Sequence, residues 1–274
     1  MLRFIINRLL QGLLVLFALY TITFFLAKAM PGEPFTTEKN ISEEAKAYQR
    51  AIYGLDKSLF EQYLRYPINI ITKGSFAVST SKGRPVRDII AQSFPNSLIL
   101  GLSALGIAIC IGVPLGVISA IRKNSWVDWG AMSIAMIGIC VPAFTVGPLL
   151  QIYIASHLPG LKVAGWGSPA DIILPALTLG LTTAAYLARL TRGGMLEILS
   201  QDFIRTAKAK GVPSNKLITK HALRGGLLPA IAFIGPSFAA LISGSFIVET
   251  IFQVPGMGQH FVNAVIARDE FLLL

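Results

Sequence analysis

Long uncharged apolar runs, separated by short charged stretches, set the pattern of this chain. Residues 9–27 (LLQGLLVLFALYTITFFLA) carry no charge. At about 1.5 Å per helical residue they reach across a hydrocarbon core of about 30 Å. A second run, 89–121, has a helix start at Ser93-Phe94-Pro95, where proline suits a first turn, and ends at Arg122-Lys123-Asn124. A third follows Asp128 to about residue 156 with Pro142 and Pro148 inside it, a fourth covers 172–188, and a fifth 226–248. Five spanning helices are predicted. Arg3 and Arg8 before the first run, and Ala27-Lys28-Ala29 after it, imitate a secretory signal, but the run exceeds an h-region of about 7–15 residues, so a retained helix is expected.

Between the first two runs the character changes. Residues 31–94 mix charges of both signs with Pro31, Gly32, Pro34, Pro67 and Gly74, and ISEEAKAYQRAIYGL within them predicts a short amphipathic helix stopped by Gly54. Residues 157–171 read as a Gly/Pro-rich turn. Beyond Glu249, the stretch 251–267 is uncharged but too rich in Pro, Gly, Gln, His and Asn for a lipid-facing helix, and reads as a re-entrant or surface loop. The chain as given ends on FLLL, where a further span begins; a sixth helix is expected to be missing from it.

Within the runs, small residues recur every fourth position: Ala104, Ala108, Gly112 and Gly116 in the second, Ala176, Gly180, Ala184 and Ala188 in the fourth. Near 3.6 residues per turn each set lines one side of its helix, and in lipid such stripes let backbones approach closely. A compact bundle is expected, with kinks or unwound turns at Pro114, Pro142, Pro148 and Pro236.

Composition agrees and narrows the class. The chain of 274 residues is 53% hydrophobic and 14% charged, against about 25% charged in soluble domains, and its mean hydropathy is +0.63. This excludes a disordered, collagen-like or coiled-coil chain. A net charge of +10 would suggest nucleic acid in a soluble protein, but in a membrane protein it marks cytoplasmic loops. Arg3, Arg8, Arg122, Lys123 and the cations of 189–224 fall on one side when five spans are counted, whereas loop 157–171 holds only Lys162. The N-terminus and 189–224 are therefore expected in the cytoplasm, and 31–94 outside it. Cys110 and Cys140 lie in apolar runs, form no CxxC pair, and are expected to be buried.

Residues 197–229 carry the densest information. Asp202 is placed to cap a short helix, FIRTAKAK, whose cations suit its C-terminal end. Gly211 can stop that helix, and Pro213-Ser214-Asn215 can start another. A short helix, a glycine break and a second helix between two spans suit docking into a groove of a cytoplasmic partner. A cationic loop that only meets anionic lipid has the same composition, and composition leaves both readings open.

DFIRTAKAKG followed by KHALRGGLLP resembles the coupling segment of binding-protein-dependent ABC importer permeases of the dipeptide, oligopeptide and nickel group. SFPNSLILG (93–101), GVPLGVISA (112–120), ARLTRGGMLEILSQD (188–202), SGSFIVETIFQVPGMGQHF (243–261) and the N-terminal RFIINRLLQGLLVLF occur in the matching order. Where the wider permease pattern has Glu-Ala-Ala, this chain has Arg205-Thr206-Ala207, and its last element reads His221-Ala222-Leu223-Arg224; the peptide-type group shares that departure. The resemblance implies an all-α polytopic bundle of the type I importer permease kind. It comprises an N-terminal helix (1–30), an external segment (31–94) and a permease core (95–274) with its cytoplasmic segment at 189–224. It implies that Asp202, Phe203, Ile204, Arg205, Thr206, Ala207, Lys208, Ala209, Lys210 and Gly211 couple to an ATPase. It also implies a second homologous permease, two cytoplasmic ATPase subunits and an external binding protein as partners, in the inner membrane of a bacterium. ATP and Mg would sit on the ATPase subunits.

The chain carries no further catalytic or ligand-binding motif. There is no GxxxxGK[ST], nor any Gly-Lys dipeptide, so no ATP hydrolysis is assigned to this chain. His157, His221 and His260 show no metal-ligand spacing, and Ser103, Ser243 and Ser245 have no evident base. No catalytic residue, resident metal or cofactor is expected, and no nucleic-acid partner. Glu249 is expected to hold the loop that follows it. The expected function is a permease pathway for short peptides. The alternatives are a self-contained secondary transporter or channel, a permease for nickel or another small solute, and, least supported, a membrane enzyme. Substrate-lining residues are not legible.

Overall fold

In the computed structural model, residues 1–30, 43–243 and 246–274 are described. Apart from one isolated β-bridge between Val78 and Pro85, their regular elements are helices. These are α1 (Leu2–Ala29), α2 (Glu43–Tyr53), α3 (Leu59–Lys73), α4 (Val86–Ile121), α5 (Trp126–Cys140), α6 (Ala143–Leu150), α7 (Pro169–Leu199) and α8 (Asp202–Ala209). They continue with α9 (Ser214–Lys216), α10 (Leu223–Gly226), α11 (Leu228–Ile242), α12 (Phe246–Phe252), α13 (Met257–Ala267) and α14 (Glu270–Leu273). π-Helical turns join α6 to the following loop (Gln151–Ala155) and α9 to α10 (Leu217–Ala222).

Among the described residues, three helices, α1, α4 and α7, are long and apolar enough to cross a membrane alone, and the total reaches five if each of two bent pairs is one span. Helix α4 begins at Val86, so Pro95 lies inside it rather than in its first turn. The third run does not cross as one rod, because it turns by 102° between α5 and the following helix. Pro142 sits at that break, while Pro114, Pro148 and Pro236 are accommodated within helices. Residues 251–267, expected as a loop, form the end of α12, a short turn and α13. Cys110 and Cys140 are exposed on the outside of the protein rather than buried. An apolar run cannot tell these cases apart, since a lipid-facing surface is as apolar as a core.

The chain divides into two compact units, residues 1–93 with 259–274, and residues 94–258. In the first, Tyr20 of α1 stacks on Tyr66 of α3 at 5.9 Å and donates to the Tyr63 carbonyl at 2.6 Å. Burial raises the Tyr66 phenol to about 12. The amphipathic α2 ends at Gly54, as its sequence predicts, in a left-handed turn (φ +70°). Asp269 is fully buried and gathers the turn after Val78, accepting from the hydroxyls of Ser79 and Ser81 and from the Ser81 amide (3.0 Å). Burial opposes its charge, but these bonds outweigh burial and hold the carboxyl below its ordinary range. Nearby, His260 Nδ1 and Lys82 Nζ are 2.6 Å apart. Burial, then the charges of Lys82 and Arg84, lower the imidazole pKa.

The second unit is organised on the small-residue stripes. Ala104 and Ala108 of α4 and Ala176, Ala184 and Ala188 of α7 are buried. A Cβ at Gly112 would meet Leu187 Cβ at 2.9 Å, and one at Gly180 would meet the Ala104 carbonyl at 2.8 Å. The two stripes face one another, and their lack of side chains sets the helix separation.

Candidate functional site

Helix α7 runs beyond its apolar part to Leu199, and its last turns carry the surface segment. Two glycine doublets make the junction. A Cβ at Gly194 would meet Pro229 Cδ at 3.1 Å and, closer, the Gly226 carbonyl. One at Gly225 would meet Ile198 Cδ1 at 2.8 Å. The outgoing and returning backbones therefore pass in near contact, so the segment leaves and re-enters the bundle at one place. Gly193-Gly194 and Gly225-Gly226 are visible in the sequence, but their pairing is not.

All ten residues singled out from the sequence lie on α8 and its C-terminal turn. Gln201, not Asp202, is the N-terminal flanking residue; Asp202 occupies the first turn, where its carboxylate still suits the positive helix end. Asp202 also accepts from Arg205 at 3.4 Å, and its carbonyl accepts from the Thr206 hydroxyl at 3.0 Å. Gly211 ends the helix at φ +78°, with its amide on the Lys208 carbonyl (3.0 Å) and the Val212 amide on the Ala207 carbonyl (3.2 Å). A side chain there would be strained. The chain then turns through Pro213 into the helix from Ser214 to Gly226, which bends by 49° into α11.

The two faces of α8 have different fates. Ile204 is 4% exposed, in a cluster with Ala120, Met195, Leu217 and Ala222, and Ala207 packs against that cluster. Phe203, beside it in sequence, is 51% exposed. Asp202, Arg205, Thr206, Lys208, Ala209 and Lys210 are exposed as well. One aromatic ring thus stands in a cationic rim, on a helix whose opposite face is fixed to the bundle. Ala207, four residues on from Phe203, is turned inward.

Two polar fastenings hold the bundle, and of these the sequence singled out only Glu249. Asp128, buried at the start of α5, receives a bidentate pair from Arg192 of α7 (2.6 and 2.8 Å), the Ser119 hydroxyl and the Asn124 amide (2.9 Å). It ties the ends of α4 and α5 to α7 about two turns before the C-terminal end of α7. The second involves Glu249, fully buried, which accepts from Ser97 at 2.9 Å and fills the space that side chains at Gly256 and Gly258 would need. Ser97 also accepts from the Met257 amide (2.8 Å), and Asn96 joins the Pro255 carbonyl to Trp166 (both 2.9 Å). Glu249 does hold the loop after it. No sequence period links these partners.

An all-helical polytopic membrane protein, its surface helix–turn–helix carried between two spans, is the class these features define. Residues 112–274 match the family described as "Binding-protein-dependent transport system inner membrane component", and residues 1–101 match the corresponding N-terminal family. The chain belongs to this family of transport permease components, which is not a family of catalysts. It is 43% identical over 277 residues to the oligopeptide transport system permease protein OppB of Haemophilus influenzae, covering 100% of this chain and 90% of that protein. It is 42% identical to OppB of Escherichia coli, with the same coverage. It is 41% identical to the dipeptide transport system permease protein DppB of Bacillus subtilis, covering 98% and 87%. A crystal structure of an amino acid ABC transporter with histidines aligns over 65% of this chain and 81% of that one, at 20% identity and a TM-score of 0.45.

Proposed function

We propose that this chain forms one half of the translocation pathway of an ATP-driven importer of short peptides, in the inner membrane of a bacterium. The observation that carries the reading is its 43% identity, over the whole chain, to an oligopeptide permease. A second, homologous permease completes the pathway, two cytoplasmic ATPase subunits bind ATP and Mg, and an external binding protein delivers the peptide. The N-terminus and residues 189–224 lie in the cytoplasm; residues 31–94 lie outside and receive the binding protein.

Residues 202–211 are the ATPase contact in this reading. Phe203 seats in the ATPase groove, and the exposed cations around it orient the approach. Ile204 and Ala207 transmit the movement, because their packing leaves α8 no freedom to move without Met195 of α7 and Leu217 of the returning helix. ATP-driven closure of the ATPases then biases the bundle between two accessible states. Asp128–Arg192 makes α5 move with α7.

Reconstitution of the two permeases and two ATPase subunits in vesicles with the binding protein tests this. Labelled oligopeptide should accumulate only with ATP, and a nickel complex should not. Peptide uptake driven by an ion gradient without ATP would establish the secondary-transporter alternative, and ATP-driven uptake of nickel but not peptide would reassign the substrate. For orientation, Lys73→Cys in a chain whose two native cysteines are replaced should react with an impermeant thiol reagent in intact spheroplasts; reaction only after lysis would reverse the topology.

A further inference from the structure

The corner between α4 and α5 lies outside the segment assigned to the ATPase contact. Arg122 and Lys123 sit in the turn there, both exposed and with no side-chain ion pair or hydrogen bond among the described residues. Trp126 and Trp129 follow at once, 94% and 67% exposed. From this corner a groove of about 600 Å³ runs down α5, with Asn124 and the Asp128–Arg192 pair at its polar end and Trp129, Met132 and Met136 along its apolar wall.

The charges decide what fits. Asp128 is the acid in this groove, and its charge is spent on the two bonds from Arg192. The unpaired charge in the turn that leads into Asn124, at the groove's polar end, is therefore the pair of cations, Arg122 and Lys123. Two tryptophans in series mark the level of a membrane–water boundary, because an indole presents an apolar ring and one polar N–H. A head with negative charge joined to a long apolar tail satisfies both ends at once. A protein surface would have to supply carboxylates at the mouth and close packing against flexible methionines below it.

We propose that this corner is a binding site for one anionic phospholipid, with its phosphate between Arg122 and Lys123 and an acyl chain in the groove against Trp129, Met132 and Met136. The lipid braces the α4–α5 turn from outside, as Asp128–Arg192 does from within. The inference rests on the chain spanning a bilayer and is independent of the solute carried.

The test is photo-crosslinking in native membranes, with p-benzoylphenylalanine introduced at Met136 of the full chain co-expressed with its partner subunits, and adducts identified by mass. Each basic residue beside an anionic lipid favours it about fivefold, so the two together favour it by up to about thirtyfold. Adducts should be enriched in anionic over zwitterionic phospholipid by tenfold or more relative to their membrane shares. R122Q/K123Q should return the ratio to that of the bulk membrane, and R122K/K123R should keep it. The ratio is read within each variant, so it does not depend on how much chain accumulates. Lipid adducts in bulk proportion in the parent chain would overturn the proposal, as would an enrichment that survives R122Q/K123Q. A cross-link to a second permease or another protein would also overturn it.

Discussion

Adding one methyl group at Gly112 tests the reasoning about helix packing most directly. The new Cβ would stand 2.9 Å from Leu187 Cβ and 3.0 Å from Ala184 Cα, with the Ala184 carbonyl closer still. Carbon atoms prefer about 3.5–4.0 Å, so α4 and α7 must part by about 0.5–1 Å. Two backbones and a branched side chain resist, and overpacking of this kind costs about 1–3 kcal/mol. In lipid this close approach is itself much of what holds the pair together. At about 2–4 °C per kcal/mol, Gly112→Ala should lower the midpoint of thermal aggregation by about 2–12 °C, read by fluorescence-detected size exclusion in detergent. Gly106→Ala is the control, since a Cβ at that position of the same helix meets nothing within 4 Å. Equal midpoints for the two variants would refute the claim that the small-residue stripes set the interhelical distance.

Three further outcomes are expected. Phe203→Ala should leave the chain's own thermal midpoint unchanged yet weaken ATPase retention by about thirtyfold, as loss of an aromatic anchor worth about 2 kcal/mol implies; Ile204→Ala should instead destabilise the chain by about 2–4 kcal/mol, because that side chain is buried in the protein itself. A reversal of these two effects, measured by co-purification and thermal midpoint, would defeat the assignment of faces. Asp128→Asn leaves Arg192 without its anion and should cost about 3 kcal/mol in thermal stability, with little recovered by adding Arg192→Lys. The His260 imidazole has a pKa below the ordinary value of 6.5 in the folded state, so the unfolded chain binds its proton first. Stability should be complete above about pH 6.5 and fall as pH drops below it, and His260→Gln should remove that slope between pH 7 and 5.5 while leaving the acid loss due to Asp269 at lower pH.

The sequence by itself determined what depends on near neighbours along the chain. Uncharged runs of sufficient length specified α1, α4 and α7, the fourfold spacing of small residues specified which sides of α4 and α7 are bare, and Gly54 and Gly211 specified where two helices stop, because only glycine takes those left-handed turns without strain. The helix–turn–helix of residues 202–226 was legible for the same reason. Tertiary structure decided what depends on partners distant in sequence. Arg192 meets Asp128 across 64 positions and Ser97 meets Glu249 across 152, and no periodicity encodes such pairings. The 102° turn at Pro142 is of this kind too, since four prolines lie at membrane depth and only the packing around each determines which one breaks a helix. Phe203 and Ile204 make the distinction plainest. Both are large, apolar and adjacent on one short helix, and it is the presence of Met195 and Leu217 on one side that buries the second and leaves the first exposed.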